Sequence, residues 1–221
     1  MLPQAKTHLT PPLPPSLVGA DKRSVILRAA HALFLRDGFS ATSMDAVTRE
    51  AGVSKATVYA HFDGKQALFE ALLQAGCEDG LATAPQLVRR GGDPADELIT
   101  FFEPFLTLII TGGNYAWDRM VIAEASRHPA NARLFHECTV GRLTGSVERY
   151  LGELDREGRI APVDLRLAAE AILATAFLGP LHRTLMIGPP EADLLAALRF
   201  GVTLLLRGLA PGNPTTPGKP G

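Results

Sequence analysis

Residues 42–62 read TSMDAVTREAGVSKATVYAHF. Thr42 has the chemistry of a helix N-cap, and an apolar stripe at helical spacing follows it, formed by Met44, Val47 and Ala51. Gly52 then provides the residue type that adopts a left-handed C-terminal position without a Cβ penalty. The first half of the stretch therefore predicts one short helix that ends at a glycine corner.

The second half of the stretch predicts another short helix. Ser54 has the chemistry of a second N-cap, and Val58 and Phe62 are spaced to face inward. Two short helices around such a corner are typical of a helix-turn-helix, in which the second helix enters the DNA major groove. A helix-turn-helix pattern alone is weakly specific.

An ordered series of residues surrounds this pattern: Ile26-Leu27-Arg28-Ala29-Ala30, Phe34, Gly38-Phe39, Thr42-Ser43-Met44, Ala51-Gly52-Val53-Ser54-Lys55, Thr57-Val58-Tyr59, His61-Phe62 and Lys65-Gln66-Ala67-Leu68-Phe69. On these residues the stretch from about 23 to 72 resembles the N-terminal domain of the TetR family of bacterial transcriptional regulators. The resemblance implies a DNA-binding regulator that acts as a homodimer on a palindromic operator.

Within this motif we expect the outward side chains to contact double-stranded DNA, although a solvated polar face is the alternative for any isolated helix. Lys55 and His61 suit phosphates, Tyr59 can present its hydroxyl to a phosphate, and the small Ala56 lets the backbone approach closely. Lys65 is either a phosphate contact or a plain surface lysine. The residues expected at the DNA are Thr42, Ser43, Lys55, Ala56, Thr57, Tyr59, His61 and Lys65.

Composition and charge give no independent sign of a nucleic-acid partner. The 221 residues carry a formal net charge of −1, and residues 21–78 hold seven Lys/Arg against seven Asp/Glu. No apolar run reaches membrane-spanning length and the N-terminus lacks a secretory signal, so a cytoplasmic protein is expected. Cys77 and Cys138 form no metal-binding spacing, and neither a metal nor a cofactor is expected.

The chain as a whole predicts an all-α protein of about nine helices, with a small DNA-binding domain and a larger apolar bundle. The expected helices cover residues 22–37, 44–51, 55–61, 64–79, 94–110, 115–127, 130–157, 163–186 and 191–207. The expected domains are a disordered tail (1–20), the helix-turn-helix domain (21–80), an effector-binding and dimerisation domain (81–209) and a second disordered tail (210–221).

The last two predicted helices carry more apolar residues than one buried stripe requires, so the surplus needs a second partner. A two-fold dimer that pairs these helices fits the surplus, and the family resemblance implies the same association. The residues expected at the dimer interface are Leu165, Ala169, Ile172, Ala176, Leu194, Leu198, Val202 and Leu205.

The larger domain also has candidates to line a pocket between helices, with a well-packed core as the alternative for each of them. They are Phe101, Phe102, Phe105, Trp117, Met120, Val121, Phe135, Phe177 and His182. Their chemistry suggests a small, largely apolar or aromatic effector. The family resemblance implies that such an effector shifts the population of dimer conformations and that the helix after the helix-turn-helix transmits the change.

The predicted function is therefore a ligand-responsive transcriptional regulator, most simply a repressor that releases its operator when the effector binds. An enzyme is the main rival: Glu124 and His128 have i, i+4 spacing, and His136-Glu137 lies close by. The sequence has no HExxH, GxSxG or phosphate-binding glycine loop, so an enzyme is not expected. An architectural or protein-interaction helical module is the second rival.

Overall fold

A computed structural model of the chain describes residues 17–83, 85–111, 115–188 and 193–212, and every regular element in these ranges is helical. The first six helices are α1 (Lys22–Asp37), α2 (Met44–Ala51), α3 (Lys55–His61), α4 (Lys65–Thr83), α5 (Pro94–Thr111) and α6 (Tyr115–Glu124). The next run comprises α7 (Pro129–His136), π1 (Glu137–Gly141) and α8 (Arg142–Arg156). The last elements are α9 (Leu165–Leu173), π2 (Ala174–Leu178), α10 (Gly179–Ile187) and α11 (Leu194–Gly208).

When each run interrupted by a π-helical turn is taken as one helix, the described residues form nine helices, as predicted. The bounds of α1, α2 and α3 agree with the sequence prediction. The bend expected at Gly179–Pro180 coincides with the end of π2, where the Gly179 N–H bonds to the carbonyl of Ala174, five residues back. Because Pro180 has no N–H to continue the ordinary ladder, a wider turn at this point is physically reasonable.

One compact unit, unit 1, comprises residues 1–84 and 112–136. Within it α1 packs on α2, α3, α4 and α6, and α7 packs on α4 and α6. Its core combines side chains of the helix-turn-helix region with side chains of α6, and its buried members include Ile26, Leu27, Phe34, Phe39, Leu68, Phe69, Leu72, Leu73 and Trp117.

The second compact unit, unit 2, comprises residues 85–111 and 137–221. Here α5 packs on α10, α11 and π2, and α8 packs on α9. An ionic cluster holds the loop before α5 against the helix. An Arg89 guanidinium nitrogen lies 2.8 Å from Glu97 Oε1, and the Tyr150 hydroxyl donates a 2.7 Å hydrogen bond to Glu97 Oε2. Burial works to raise the pKa of Glu97, but the hydrogen bonds from Tyr150, the backbone and Arg89 outweigh it and lower that pKa.

This division differs from the contiguous domains expected from the sequence. Residues 112–136 were expected in the C-terminal domain, yet they belong to unit 1. The physical reason is apolar burial, because Trp117, Met120 and Val121 of α6 complete the core formed by α1 and α4. The two predicted disordered tails lie mostly outside the described residues.

Candidate nucleic-acid interface

The corner between α2 and α3 is built on Gly52, which has φ 63° and ψ 31°. In this left-handed conformation its N–H reaches the carbonyls of Thr48 and Arg49, and the Val53 N–H bonds to Thr48 at 3.4 Å. Carbonyls at the end of α2 are thereby satisfied within the turn. A residue with a Cβ would be strained here, so the glycine fixes the direction in which α3 leaves α2.

The inner face of α3 is fixed by one cap and two apolar side chains. The Ser54 hydroxyl accepts a 3.1 Å hydrogen bond from the Thr57 N–H, which confirms the predicted N-cap. Val58 is fully buried and Phe62 is buried, and α3 packs against both α1 and α2. Because these contacts hold one side of the short helix, its opposite side is turned to solvent.

The outer face of α3 carries most of the side chains predicted to contact DNA. Lys55, Ala56, Tyr59 and His61 are exposed, and Thr57 is half-buried. The Thr57 hydroxyl forms a 2.8 Å hydrogen bond with the hydroxyl of Ser54, the N-cap residue of the same helix. Tyr59 is 44 % exposed, so its ring and hydroxyl are available to a partner.

An ion pair joins the two helices of the motif on this exposed surface. Lys55 Nζ lies 2.8 Å from Asp45 Oδ1 and 5.9 Å from the centre of the Tyr59 ring. The hydrogen bond from Lys55 lowers the pKa of Asp45, and Arg49 acts in the same direction. The same hydrogen bond raises the pKa of Lys55. The principal cation of α3 therefore already has a carboxylate partner in the free protein.

The N-terminus of α2 differs from the prediction at one residue. Thr42 is buried and donates its hydroxyl to the Gly38 carbonyl at 2.8 Å, so it is not the N-cap. Ser43 caps the helix instead and accepts a 3.1 Å hydrogen bond from the Ala46 N–H. The Thr42 side chain fastens the preceding turn, whereas Ser43 is exposed at the helix end.

Lys65 lies at the start of α4, where the sequence suggested a phosphate contact or a plain surface lysine. Its Nζ donates to the carbonyls of Phe39 at 2.7 Å and Ser40 at 3.0 Å, and it lies 4.6 Å from the centre of the Phe39 ring. Burial lowers the pKa of Lys65. In this arrangement the lysine ties α4 to the loop between α1 and α2.

A hydrogen bond that was not predicted links the same loop to α6. The Ser40 hydroxyl donates to Glu124 Oε1 at 2.8 Å, and Glu124 is buried at the end of α6. The second carboxylate oxygen has no hydrogen-bond partner, and Arg127 approaches it only to 3.7 Å. The two bonded residues lie 84 positions apart, so no local pattern could have indicated the pair.

Two further exposed cations lie at the start of α1, Lys22 and Arg23. The Arg23 guanidinium lies 5.5 Å from the centre of the Phe62 ring, which places it beside the end of α3. Neither residue was singled out from the sequence. Cations in the first turn of a helix interact unfavourably with its dipole. This unfavourable placement is the feature of the sequence that could have indicated a role for the two residues.

Four of the nine effector-pocket candidates form an aromatic cluster in unit 2. The Phe101 ring lies 5.0 Å from Phe102 and 5.4 Å from Phe105, and the Phe105 ring lies 6.2 Å from Phe177. Phe101 and Phe102 are buried, whereas Phe105 and Phe177 are half-buried. The last two rings therefore keep part of their surface uncovered.

Four other candidates lie in unit 1, so the structure does not gather the predicted set into one unit. Trp117 stacks on His31 at 5.3 Å and on Phe69 at 5.4 Å, with Met120 and Val121 in the same core and Phe135 packed against it. Burial lowers the pKa of His31. His182, the remaining candidate, is exposed in unit 2.

The predicted dimer residues are mostly core residues of the single chain, which corrects the choice of face. Six of them are buried inside unit 2, namely Ala169, Ile172, Ala176, Leu194, Leu198 and Val202, while Leu165 and Leu205 are half-buried. The large apolar residues left uncovered on α9 and α11 are Leu167, Phe200 and Leu204, which are 56 %, 71 % and 58 % exposed. Because both faces of these helices carry apolar residues, hydrophobic periodicity could not show which face packs in the core and which face stays exposed.

The described residues show no group of three or more His, Cys, Asp or Glu side chains placed to hold a metal ion. At the rival enzyme site Glu124 is bonded to Ser40, and His128 packs edge-on against Phe39 with ring centres 4.7 Å apart. Among the helices searched, none is long and apolar enough to cross a bilayer.

Comparison with known proteins agrees with this geometry. Residues 26–72 match the family model described as bacterial regulatory proteins of the tetR family, and residues 96–204 match the C-terminal domain of AefR-like transcriptional repressors. The first match spans α2, α3 and the glycine corner.

Individual proteins are similar over longer stretches. The transcriptional regulator UidR of Escherichia coli is 28 % identical over 145 residues, which are 63 % of this chain and 69 % of UidR. AcrR of Shigella flexneri is 24 % identical over 84 % of this chain and 88 % of its own length. The solved structure of the flavonoid-responsive regulator FrrA is 31 % identical, with a TM-score of 0.77 over 86 % of this chain and 98 % of FrrA.

Proposed function

Because this chain belongs to the TetR family of bacterial regulatory proteins and is a DNA-binding transcriptional regulator, we propose that it is a repressor released from a palindromic operator by a small, largely apolar effector. The observation that carries the proposal is the uncovered outer face of α3. Val58 and Phe62 hold the helix from behind, and Lys55, Tyr59 and His61 project into solvent. This is the arrangement in which a recognition helix meets base edges and phosphates.

The repressor works as a homodimer joined through α9 and α11. Leu167, Phe200 and Leu204 form an uncovered apolar surface on these helices, and a second copy of the chain would remove it from water. A two-fold dimer presents two copies of α3, so its operator is a palindrome whose half-sites lie one helical turn apart or a multiple of that distance.

The effector binds beside the aromatic cluster of unit 2. Phe105 and Phe177 keep part of their rings uncovered, and aromatic ligands gain from offset or edge-to-face contact with such rings. The similarity to the flavonoid-responsive FrrA supports an aromatic effector. A flavonoid is therefore the first chemical class to test.

Within unit 1, both α6 and α4 are linked to the loop that precedes the helix-turn-helix. The carboxylate of Glu124 at the end of α6 accepts from Ser40, and the Ser40 carbonyl accepts from Lys65 at the start of α4. A displacement of α6 would therefore act on the loop between α1 and α2, which precedes the recognition motif in the chain. An effector shifts the equilibrium only as far as its affinities for the two conformations differ.

The DNA-binding part is tested by selecting duplexes from random DNA with the purified full-length protein. Recovery of a palindrome that Tyr59→Ala no longer binds at the same protein concentration is the expected result. Sequence-indifferent binding would instead support an architectural protein. Light scattering on the same preparation should give twice the mass of one chain.

The effector part is tested by titrating a flavonoid into the protein–operator complex at fixed salt. We expect the operator affinity to fall by about tenfold, within the usual range of allosteric coupling. Phe105→Ala should reduce this response and leave operator affinity without flavonoid unchanged. An operator affinity that stays constant, although calorimetry shows flavonoid binding, would contradict a release mechanism.

A further inference from the structure

The side chains that most often read bases in the major groove are absent from α3. Arginine bonds both acceptors of guanine, and asparagine or glutamine bonds both exposed groups of adenine. Residues 55–61 read KATVYAH and contain none of these three residue types. The side chains that α3 does carry must therefore distinguish base pairs in another way.

The polar side chains of α3 lie beside its outer face and not at the centre of it. With about 100° of rotation per residue, Lys55 and His61 lie only about 60° around the helix from the buried Val58. Thr57 and Tyr59 lie about 100° from Val58, on opposite sides of the helix. These four side chains therefore border the outer face, on the two sides from which the phosphates of a groove approach.

Two of the four polar side chains also have partners within the motif. Lys55 Nζ lies 2.8 Å from Asp45 Oδ1, and the hydroxyl oxygens of Thr57 and Ser54 are 2.8 Å apart. A neutral base edge is a weaker acceptor for an ammonium group than a carboxylate is, whereas a phosphate carries the same kind of charge. Lys55 is therefore suited to the DNA backbone and not to the bases.

The centre of the outer face is occupied by Ala56 and Ala60. Both lie about 160° around the helix from Val58, one turn apart, and both are exposed. Because each side chain is a single methyl group, α3 can approach the floor of the major groove closely. Alanine offers no hydrogen bond, but it contacts the C5-methyl group of thymine, which distinguishes thymine from cytosine in this groove.

We propose that the recognition helix distinguishes base pairs through methyl groups, with Ala56 and Ala60 each packed against the C5-methyl of a thymine in every half-site. Such a contact removes apolar surface from water. A cytosine in the same place would turn its amino group toward an alanine, which leaves that donor without an acceptor. This inference rests on the proposed function, in which α3 lies in the major groove of a palindromic operator.

The first test replaces thymine by uracil in the selected operator, at one symmetry-related pair of positions at a time. Uracil keeps the hydrogen-bonding groups of thymine and lacks only its methyl, and the protein stays unchanged. Fluorescence anisotropy should report an affinity loss of about fourfold for each contacted methyl, from its transfer free energy, and so about 16-fold for a symmetric pair. Replacing guanines by 7-deazaguanine, which lacks the N7 acceptor, should change affinity by less than about twofold.

The second test links the lost methyl to a particular alanine. For one thymine pair, the ratio of thymine to uracil affinity should fall from about 16 to about 1 in Ala60→Gly, and for another pair it should do so in Ala56→Gly. Ala123→Gly, at an exposed alanine of α6, is the matched control and should keep both ratios. Since each ratio compares two duplexes on one protein, the loss of helix propensity caused by glycine affects both and cancels.

Three outcomes would contradict the inference. Uracil duplexes that all bind as tightly as the operator would overturn it and leave sequence-specific binding intact. A larger loss with 7-deazaguanine than with uracil would also overturn it, because the readout would then depend on hydrogen bonds from polar side chains. A selection that returns no common sequence would overturn the proposed function as well.

Discussion

The helices α3 and α11 each bury one face within their own unit and leave the other uncovered, but the two uncovered faces differ in chemistry. On α3 the buried Val58 is followed by the exposed Tyr59. On α11 the exposed Phe200 is followed by the buried Gly201. The outer face of α3 is polar and cationic, suited to hydrated phosphates and base edges, whereas that of α11 is apolar and suited to another protein surface. The chemistry of an uncovered face therefore indicates its partner.

The largest expected effect comes from placing a charge on the apolar face. Phe200→Glu would bury an unpaired carboxylate in the proposed interface, so we expect light scattering to report a monomer. Operator affinity should fall by more than about 100-fold, because two linked half-site contacts become one. Ile122→Glu, at an exposed isoleucine of unit 1, is the control and should remain dimeric. A dimeric Phe200→Glu protein would place the interface elsewhere.

Neighbouring residues of α3 provide the second test. Val58→Ala should lower the free energy of unfolding by about 2 kcal/mol, since it leaves a cavity in the core. Tyr59→Ala should leave unfolding unchanged and reduce operator affinity by about tenfold, as expected for loss of one DNA contact. Urea unfolding at fixed protomer concentration and anisotropy titration measure the two effects. A loss of stability in Tyr59→Ala would mean that the outer face also supports the fold.

On α11 the corresponding inner position is Gly201. A Cβ there would lie 2.5 Å from Thr175 Cγ2, and turning that side chain away would break its hydroxyl bond to Ala171. We expect Gly201→Ala to destabilise unit 2 by about 2 kcal/mol. Gly145→Ala, in α8 with open space around its Cβ position, should instead stabilise by about 1 kcal/mol. If Gly201→Ala and Gly145→Ala changed the midpoint of thermal unfolding equally, residue 201 of α11 would not lie as close to Thr175 of π2 as the structure places it.

Substitutions of Lys55 and Lys65, both in unit 1, separate DNA contact from support of the loop. Lys65→Met removes two hydrogen bonds to carbonyls and should cost about 1.5 kcal/mol of unfolding free energy, with the operator salt slope unchanged. Lys55→Met should reduce that slope by about one and leave stability nearly unchanged. If Lys65→Met lowered the slope equally, Lys65 would be a phosphate contact after all.

The smallest effect concerns the interior beside α6. Burial raises the pKa of Asp118 to about 6, so the folded state binds this proton more tightly than the unfolded chain does. The contribution of Asp118 to stability is therefore most favourable below about pH 4 and declines as the pH rises to about 6. Asp118→Asn should raise the free energy of unfolding by about 1 kcal/mol at pH 7.5 and by less at pH 5. The figure is smaller than the pKa shift alone would give, because Asp118 is half-buried and solvent screens its charge. A constant difference would exclude titration of Asp118.

Local chemistry made the recognition motif predictable. Gly52 and Ser54 act through hydrogen bonds to residues at most four positions away, so the bounds of α2 and α3 follow from the sequence. The proposed dimer face was not predictable in the same way, because Ala169 and Leu167 are both apolar and only the packing of α8 and α11 decides which one is covered.

The contacts made by the residues of α6 could not be predicted from the sequence either. Trp117 was expected near an effector, but the three-dimensional fold gives it His31 and Phe69 as neighbours. The bond between Ser40 and Glu124 depends on the same packing. Spacing along the chain carries no information about either contact, since both join segments that are remote in sequence.

The position of Trp117 has a practical consequence for anyone building chimeric regulators. A graft that transfers only residues 1–84 to a foreign sensor domain would leave the rings of His31 and Phe69 without the indole that covers them. The transplanted segment would then expose apolar surface and fold less stably. The portable module has to carry residues 115–136 along with the recognition helix, although residues 85–111 of the other unit intervene in the chain.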